Sequence, residues 1–367
     1  MRITLVIDAP HYIGGIRYIE RFIKILLLTE EKIELNLIYI NCDSSIEANC
    51  PKQERFIKIP SFLYRIDRLL ARFIGFSFFS FFLLKDVKNS TVFFSDIFLP
   101  KYFRIKNNIK VVHWFPDFQV YDLKHLFPIN KRISRKLYIK LQLVTCDMLL
   151  TQSETDFDRM RKLFPSYSQK IVKWSFAEPY FNVPEEEQIV IKGNKLSRGN
   201  FLLYPHQGWA HKNHVLLIEA MQYFKAEVLV LTGRLSDPRN PQYSTELAEA
   251  IEKSSIPIIN LGLVTGNELN SLMKNAKAVL NLSSYEGWSS CVEEASMLGT
   301  PLILSNIKIH LEQIPEAFFV DISNFENTKA TFKKALLSLT TFSGHDFKRR
   351  LNNSVSEIKR ILIRLKS

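Results

Sequence analysis

NLSSYEGWSSCVEEASMLGTPL, residues 281–302, joins the end of an apolar strand to a turn and a helix, with two acidic side chains in fixed spacing. Val279, Leu280 and Leu282 read as strand, Ser283–Gly287 as turn, and Val292–Leu298 as helix, stopped by Gly299-Thr300-Pro301. Glu286 falls at the strand-to-helix corner. Glu294 follows eight positions on, about two helical turns deeper. Carboxylates so placed suit a hydroxyl-rich ligand, because they accept hydrogen bonds from sugar or ribose OH groups. Between them, Gly287-Trp288-Ser289-Ser290 lies where helix N-terminal amides can bind phosphate.

The EGWSSCVEEA segment, with Gly299 and Pro301 behind it, resembles the hallmark of the retaining GT-B glycosyltransferases of family 4, E-G-F-G-x-x-x-x-E-A followed by G-x-P. The resemblance implies that Glu286 contacts the donor sugar and Glu294 the ribose of a nucleotide. One departure stands out: Ser289 replaces the family's second glycine, which restricts backbone approach to the donor.

Further along the family pattern, YPHQGWAHKNH (Tyr204–His214) follows a strand and opens a helix, as does the family's G-R-x-x-x-x-K-[GN] loop. Lys212 matches the lysine that neutralises the donor diphosphate. His206 stands at the glycine position and Gln207 at the arginine position, so the guanidinium fork is missing. By the same resemblance Gly15, of the Gly14-Gly15 pair after the first strand, faces donor phosphates and acceptor. LTGRLSDPRNPQY (Leu231–Tyr243), with Gly233, lies near the nucleotide, and Val264 contacts the base. HWFPDFQ (His113–Gln119) ends a first-half strand; His113 and Asp117 match a family histidine and a P-D-x-Q element near the reacting sugar.

The 367 residues exceed one ordinary core, and 46% hydrophobic with 23% charged residues describes a globular chain. Strand and helix patterns alternate: strands at Ile3–Ile7, Leu35–Ile40, Val92–Ser95, Lys110–Trp114 and Met148–Gln152, then a second series from Phe201–Tyr204 to Leu302–Leu304. The fold expected is α/β: a GT-B pair of Rossmann-like domains with a cleft between them and a C-terminal helix crossing back. By the same resemblance, residues 1–180 with helix 345–367 are expected to form the acceptor domain and 195–344 the nucleotide-sugar donor domain. Glu178–Gly199, with Pro179, Pro184 and Glu185–Glu187, reads as the linker.

Cys42, Cys50, Cys146 and Cys291 show no CxxC pair, which suits reduced thiols in the cytoplasm. MRITLVID opens directly as a strand, so no secretory leader is expected. No metal site is expected: the single D-x-D, Asp156-Phe157-Asp158, falls on a helix and reads as helix surface. No cofactor is expected beyond the GDP- or UDP-sugar substrate. The net charge of +12 calls for an anionic partner. Nucleic acid is disfavoured, since helix-turn-helix, zinc-finger and RNP patterns are missing. Phe73–Leu84, FIGFSFFSFFLL, is too short to span a bilayer, which takes about 20 apolar residues. Preceded by Arg65, Arg68 and Arg72 on one helical face, it predicts peripheral binding to an anionic membrane surface, on the inner face of the plasma membrane. The acceptor expected is a saccharide or lipid-linked saccharide in polysaccharide assembly. A catalytically silent scaffold subunit is the alternative reading of the missing arginine.

Overall fold

A computed structural model of the chain describes residues 1–7, 13–41, 52–74, 76–93, 98–224 and 228–366. The chain divides into two compact units, Met1–Pro179 with Lys348–Ser367, and Tyr180–Phe347.

The first unit runs β1 (Arg2–Ile7), α1 (Ile13–Leu27), β2 (Glu34–Ile40), β3 (Lys52–Ile57), α2 (Ser61–Ile74), α3 (Phe78–Leu84), β4 (Ser90–Phe93), α4 (Lys101–Lys106) and β5 (Ile109–Trp114). It continues with α5 (Gln119–Asp122), α6 (Ile129–Thr145), β6 (Met148–Thr151), α7 (Glu154–Leu163) and β7 (Ile171–Lys173). The strands form one sheet in the order β3-β2-β1-β4-β5-β6-β7, parallel throughout. Runs such as Ile3–Ile7 are apolar on both faces because helices cover both sides of a parallel sheet.

The second unit contains β8 (Gln188–Ile191), β9 (Asn194–Ser197), β10 (Phe201–Tyr204), α8 (His214–Met221), β11 (Val228–Leu231), α9 (Pro241–Glu252), β12 (Ile258–Asn260) and α10 (Gly266–Asn275). After these come β13 (Ala278–Asn281), α11 (Ser290–Met297), β14 (Leu302–Ser305), α12 (Lys308–Gln313), β15 (Phe318–Val320) and α13 (Phe325–Ser338). Its sheet, β12-β11-β10-β13-β14-β15, is again all parallel, with an apolar core on each face. The last helix, α14 (Phe347–Lys366), packs on the first unit: the indole Nε1 of buried Trp174 donates to Ser354 Oγ at 3.0 Å, and the Ser175 N–H donates to Glu357 at 2.9 Å. Two Rossmann-like sheets and a terminal helix bear out the α/β expectation.

Several local expectations change. The stretch read as linker holds the antiparallel pair β8–β9, joined through Lys192-Gly193, both at positive φ. Pro184 and three glutamates signal a loop, but Ile189, Ile191 and Leu196 bury against the second core. Gly14 and Gly15 lie in the first turn of α1, not in a loop ahead of it. The aromatic run Phe73–Leu84 is divided between two helices, because Ser77 caps α3 by accepting from the Ser80 N–H at 2.9 Å. Asp156 is buried rather than on the helix surface, next to the Ser153 cap. The α11 helix starts at Ser290, so Glu294 is its fifth residue and Glu286 lies wholly in the preceding loop. Cys42, Cys50, His11, Ser95, the side chains of Arg68 and Arg72, and the surroundings of Gly15 lie outside the described residues.

Candidate active site

Strand order in the second sheet reverses between β10 and β13. Both strands point the same way, so the segments leaving their carboxyl ends emerge side by side. From β10 comes Pro205–Asn213, with Lys212 in a short 3-10 turn. From β13 comes Leu282–Ser289, with Glu286. Their side chains meet although 74 residues separate them: Lys212 Nζ donates to Glu286 Oε1 at 2.6 Å, with both side chains 11% exposed.

The same carboxylate oxygen accepts from Asn281 Nδ2 at 2.9 Å and Ser283 Oγ at 3.0 Å. Burial pushes the Glu286 carboxyl up, but the adjacent Lys212 ammonium outweighs it and holds the group well below the usual carboxylate range. Glu286 is therefore ionised at neutral pH. A buried ion pair without further donors costs more in desolvation than it returns; here Asn281 and Ser283 supply those donors. One of the three Lys212 N–H groups is committed to Glu286.

Four histidines surround the pair, and none adds charge. Burial, followed by the Lys212 charge, pushes His206 well below its ordinary value and His211 down to about 4. Burial is also the first cause for His214, lowered to about 3, and for His310, lowered to about 4. His206 Nε2 lies 3.2 Å from the Leu280 carbonyl oxygen, so its neutral ring holds the end of β13. The positive charge against Glu286 is thus that of Lys212.

The loop from β10 interlocks with the loop after β11. A Cβ on Gly208 would fall 2.7 Å from the backbone of Leu235, and one on Gly233, at φ +94, would fall 2.8 Å from the His206 carbonyl oxygen. Only glycine permits either approach. The Gly208 N–H donates to the Arg234 carbonyl at 2.8 Å, and Gln207 Oε1 accepts from the Arg234 N–H at 2.9 Å. Gln207 at the arginine position therefore pins a neighbouring loop whose Arg234 is exposed. Sequence reading missed Arg234; only the sheet order brings it beside Gln207.

On the other side, Gln313 of α12, fully buried, clamps the start of α11. It donates from Nε2 to the Ser289 carbonyl at 2.8 Å and to Glu293 Oε1 at 3.0 Å, and its Oε1 accepts from the Ser289 N–H at 3.2 Å. The Ser289 amide, expected to face phosphate, is thus bonded to Gln313. Gly287, Trp288 and Ser290 are partly buried around it, and Glu294 is buried on α11. Val264 is half-buried just past Gly262, whose carbonyl accepts from the Gly233 N–H at 2.7 Å. The structure therefore brings His206, Gln207, Lys212, Gly233, Glu286 and Ser289 onto adjoining segments. His113 and Asp117 belong to the first unit: His113 is fully buried at the end of β5, and Asp117 Oδ1 accepts from the Gln119 N–H at 2.9 Å. Among the described residues no group of His, Cys, Asp and Glu is arranged to hold a metal ion.

Residues 185–340 match the family model described as glycosyl transferases group 1. No curated protein matches the chain. Among solved structures it is similar to sucrose-phosphate synthase from Thermosynechococcus elongatus, at 14% identity and a TM-score of 0.67 over 100% of this chain and 99% of that one. TarM is similar at 11% identity and a TM-score of 0.67, over 100% and 99% of the two chains. HepE of Anabaena, solved in complex with UDP and glucose, is similar at 11% identity and a TM-score of 0.58, over 99% of each chain. At such identities the likeness speaks for the fold. With the matched segment spanning the Lys212–Glu286 corner, the chain is a glycosyltransferase of the GT-B fold.

Proposed function

We propose that the chain transfers a sugar, with retention at the anomeric carbon, from a nucleotide-diphospho-sugar to a saccharide or lipid-linked saccharide in the assembly of a cell-surface polysaccharide. The observation that carries this reading is the buried Lys212–Glu286 contact at the strand-order reversal. Glu286 accepts hydrogen bonds from donor-sugar hydroxyls and Glu294 from the ribose. Lys212 turns its remaining N–H groups to the diphosphate. As the sugar–oxygen bond breaks, negative charge grows on that diphosphate, and Lys212 stabilises it without moving a proton of its own. The acceptor hydroxyl attacks from the same face and passes its proton to the departing phosphate oxygen. Arg234 supplies a second cation in place of the arginine that Gln207 does not provide; it is exposed on the loop that Gln207 holds. HepE, solved with UDP-glucose, supports a uridine donor as the first to try.

The deciding experiment incubates the full chain with a panel of isotope-labelled UDP- and GDP-sugars and follows sugar release and calorimetric binding. One donor that binds and is slowly hydrolysed is the expected result. Binding without hydrolysis or transfer would instead favour a catalytically silent subunit, and no binding to any member would overturn the reading.

A further inference from the structure

The first unit carries an amphipathic helix whose apolar stripe faces outward. On α2, Phe62, Leu63, Ile66, Leu69 and Leu70 recur at helical spacing, and all are exposed, Phe62 by 72%. Its inward face is Asp67 and Ala71, with Tyr64 half-buried. A stripe of this kind ordinarily marks the face turned to the core.

Neighbouring helices extend it. The α2 helix packs against α3 and α6, and the Phe81 and Phe103 rings, 5.0 Å apart, join α3 to α4. On these partners Phe78 and Phe82, Tyr102 and Ile105, and Ile133 and Leu137 are exposed as well. Single exposed apolar residues need no explanation, whereas such a set on four helices linked by packing marks an interaction surface.

Charge selects the occupant. Exposed Arg65, Lys101, Lys106, Lys131, Lys136 and Lys140 lie on the same helices. Their only carboxylate is Asp67, which is buried and accepts from Ser77 Oγ at 2.6 Å and the Phe78 N–H at 2.8 Å. Aromatic and aliphatic side chains among bases, with no exposed acid within these four helices, suit an anionic bilayer: the apolar groups enter the boundary between headgroups and acyl chains, and the bases meet the phosphates. Among the described residues no helix is long and apolar enough to cross a membrane. We propose that the face formed by α2, α3, α4 and α6 inserts shallowly into anionic lipid. This differs from attraction by basic charge alone, because insertion persists when salt screens the charge.

The test is sedimentation of the full chain with vesicles of phosphatidylcholine plus phosphatidylglycerol, and of phosphatidylcholine alone, at low and high salt. The parent is expected to bind the anionic vesicles and to keep part of that binding at high salt. Ile66→Asp with Phe82→Asp is expected to weaken binding by roughly tenfold or more, since two exposed apolar side chains would no longer enter the acyl boundary. Lys101→Glu with Lys136→Glu is expected to lose mainly the salt-sensitive part. Independently, Tyr102→Trp is expected to add a fluorescence signal on vesicles, over that of the parent, which brominated lipid quenches. A parent that stays in the supernatant, an apolar double variant that binds like the parent, or an added Tyr102→Trp signal that bromine does not quench would overturn the proposal. So would a parent dimer that the apolar double variant converts to monomer, which would assign the face to a second copy.

Discussion

Lys212 carries the site's chemistry because the histidines that could share its charge are neutral. With His206, His211, His214 and His310 pushed down by burial, no imidazolium stands in for a missing ammonium at pH 7. Lys212→Ala is therefore expected to lower kcat by roughly 10²–10³, the loss typical of one electrostatic stabiliser of transition-state charge, with a smaller rise in donor KM. Arg234→Ala is expected to cost about 1.5–3 kcal/mol in kcat/KM, the worth of one charge-assisted hydrogen bond. Steady-state kinetics with the donor found in the panel checks both, and a Lys212→Ala enzyme with parental kcat would remove Lys212 from the leaving-group role.

At the scale of elements, the helix that begins at Ser290 is held by another helix. Gln313 of α12 bonds both the N–H and the carbonyl of Ser289, so the loop bearing Glu286 is tied at its far end. Gln313→Leu keeps the volume but leaves the Ser289 peptide without that partner, a cost of about 1–3 kcal/mol for a buried polar group. A lower Tm with weaker donor binding is the expected outcome, and Gln313→Glu is expected to recover only the half of the clamp that accepts. A thermal melt and calorimetry settle it: parental donor affinity in Gln313→Leu would make the clamp purely structural.

At the scale of the molecule, the buried histidines couple stability to pH. His211, His214 and His310 have folded values near 4, 3 and 4, below the ordinary value of 6.5. The unfolded chain therefore binds more protons between these limits. Their contribution is fully present above about pH 6.5 and is lost as pH falls towards 4. By pH 5 each has lost on the order of 1–2 kcal/mol of that stabilisation. Denaturant unfolding at pH 7.5 and pH 5 should show a clear drop in the second unit's stability, and His310→Gln should reduce that drop. A midpoint independent of pH across that window would contradict the buried, neutral assignment.

The amino-acid sequence by itself determined the alternation of strands and helices, the Glu286 corner and the Lys212 loop, because each is written in local chemistry: apolar strand runs, glycine and proline stops, and carboxylates at set spacing. It also pointed to the first unit's basic helix and aromatic run. Tertiary structure alone decided the rest. The approach of Lys212 to Glu286 follows from β10 and β13 being neighbours in a parallel sheet, and so does the adjacency of β11 that places Arg234 by Gln207. Gln313 carries no motif; it matters because α12 lies beside α11. The hairpin β8–β9 forms inside a stretch that reads as loop, since cross-strand pairing and burial of Ile189 and Ile191 override the glutamates before it. Helical spacing defines the stripe of α2 but not its direction, since 3.6-residue periodicity is the same whether the apolar side meets the core or faces outward.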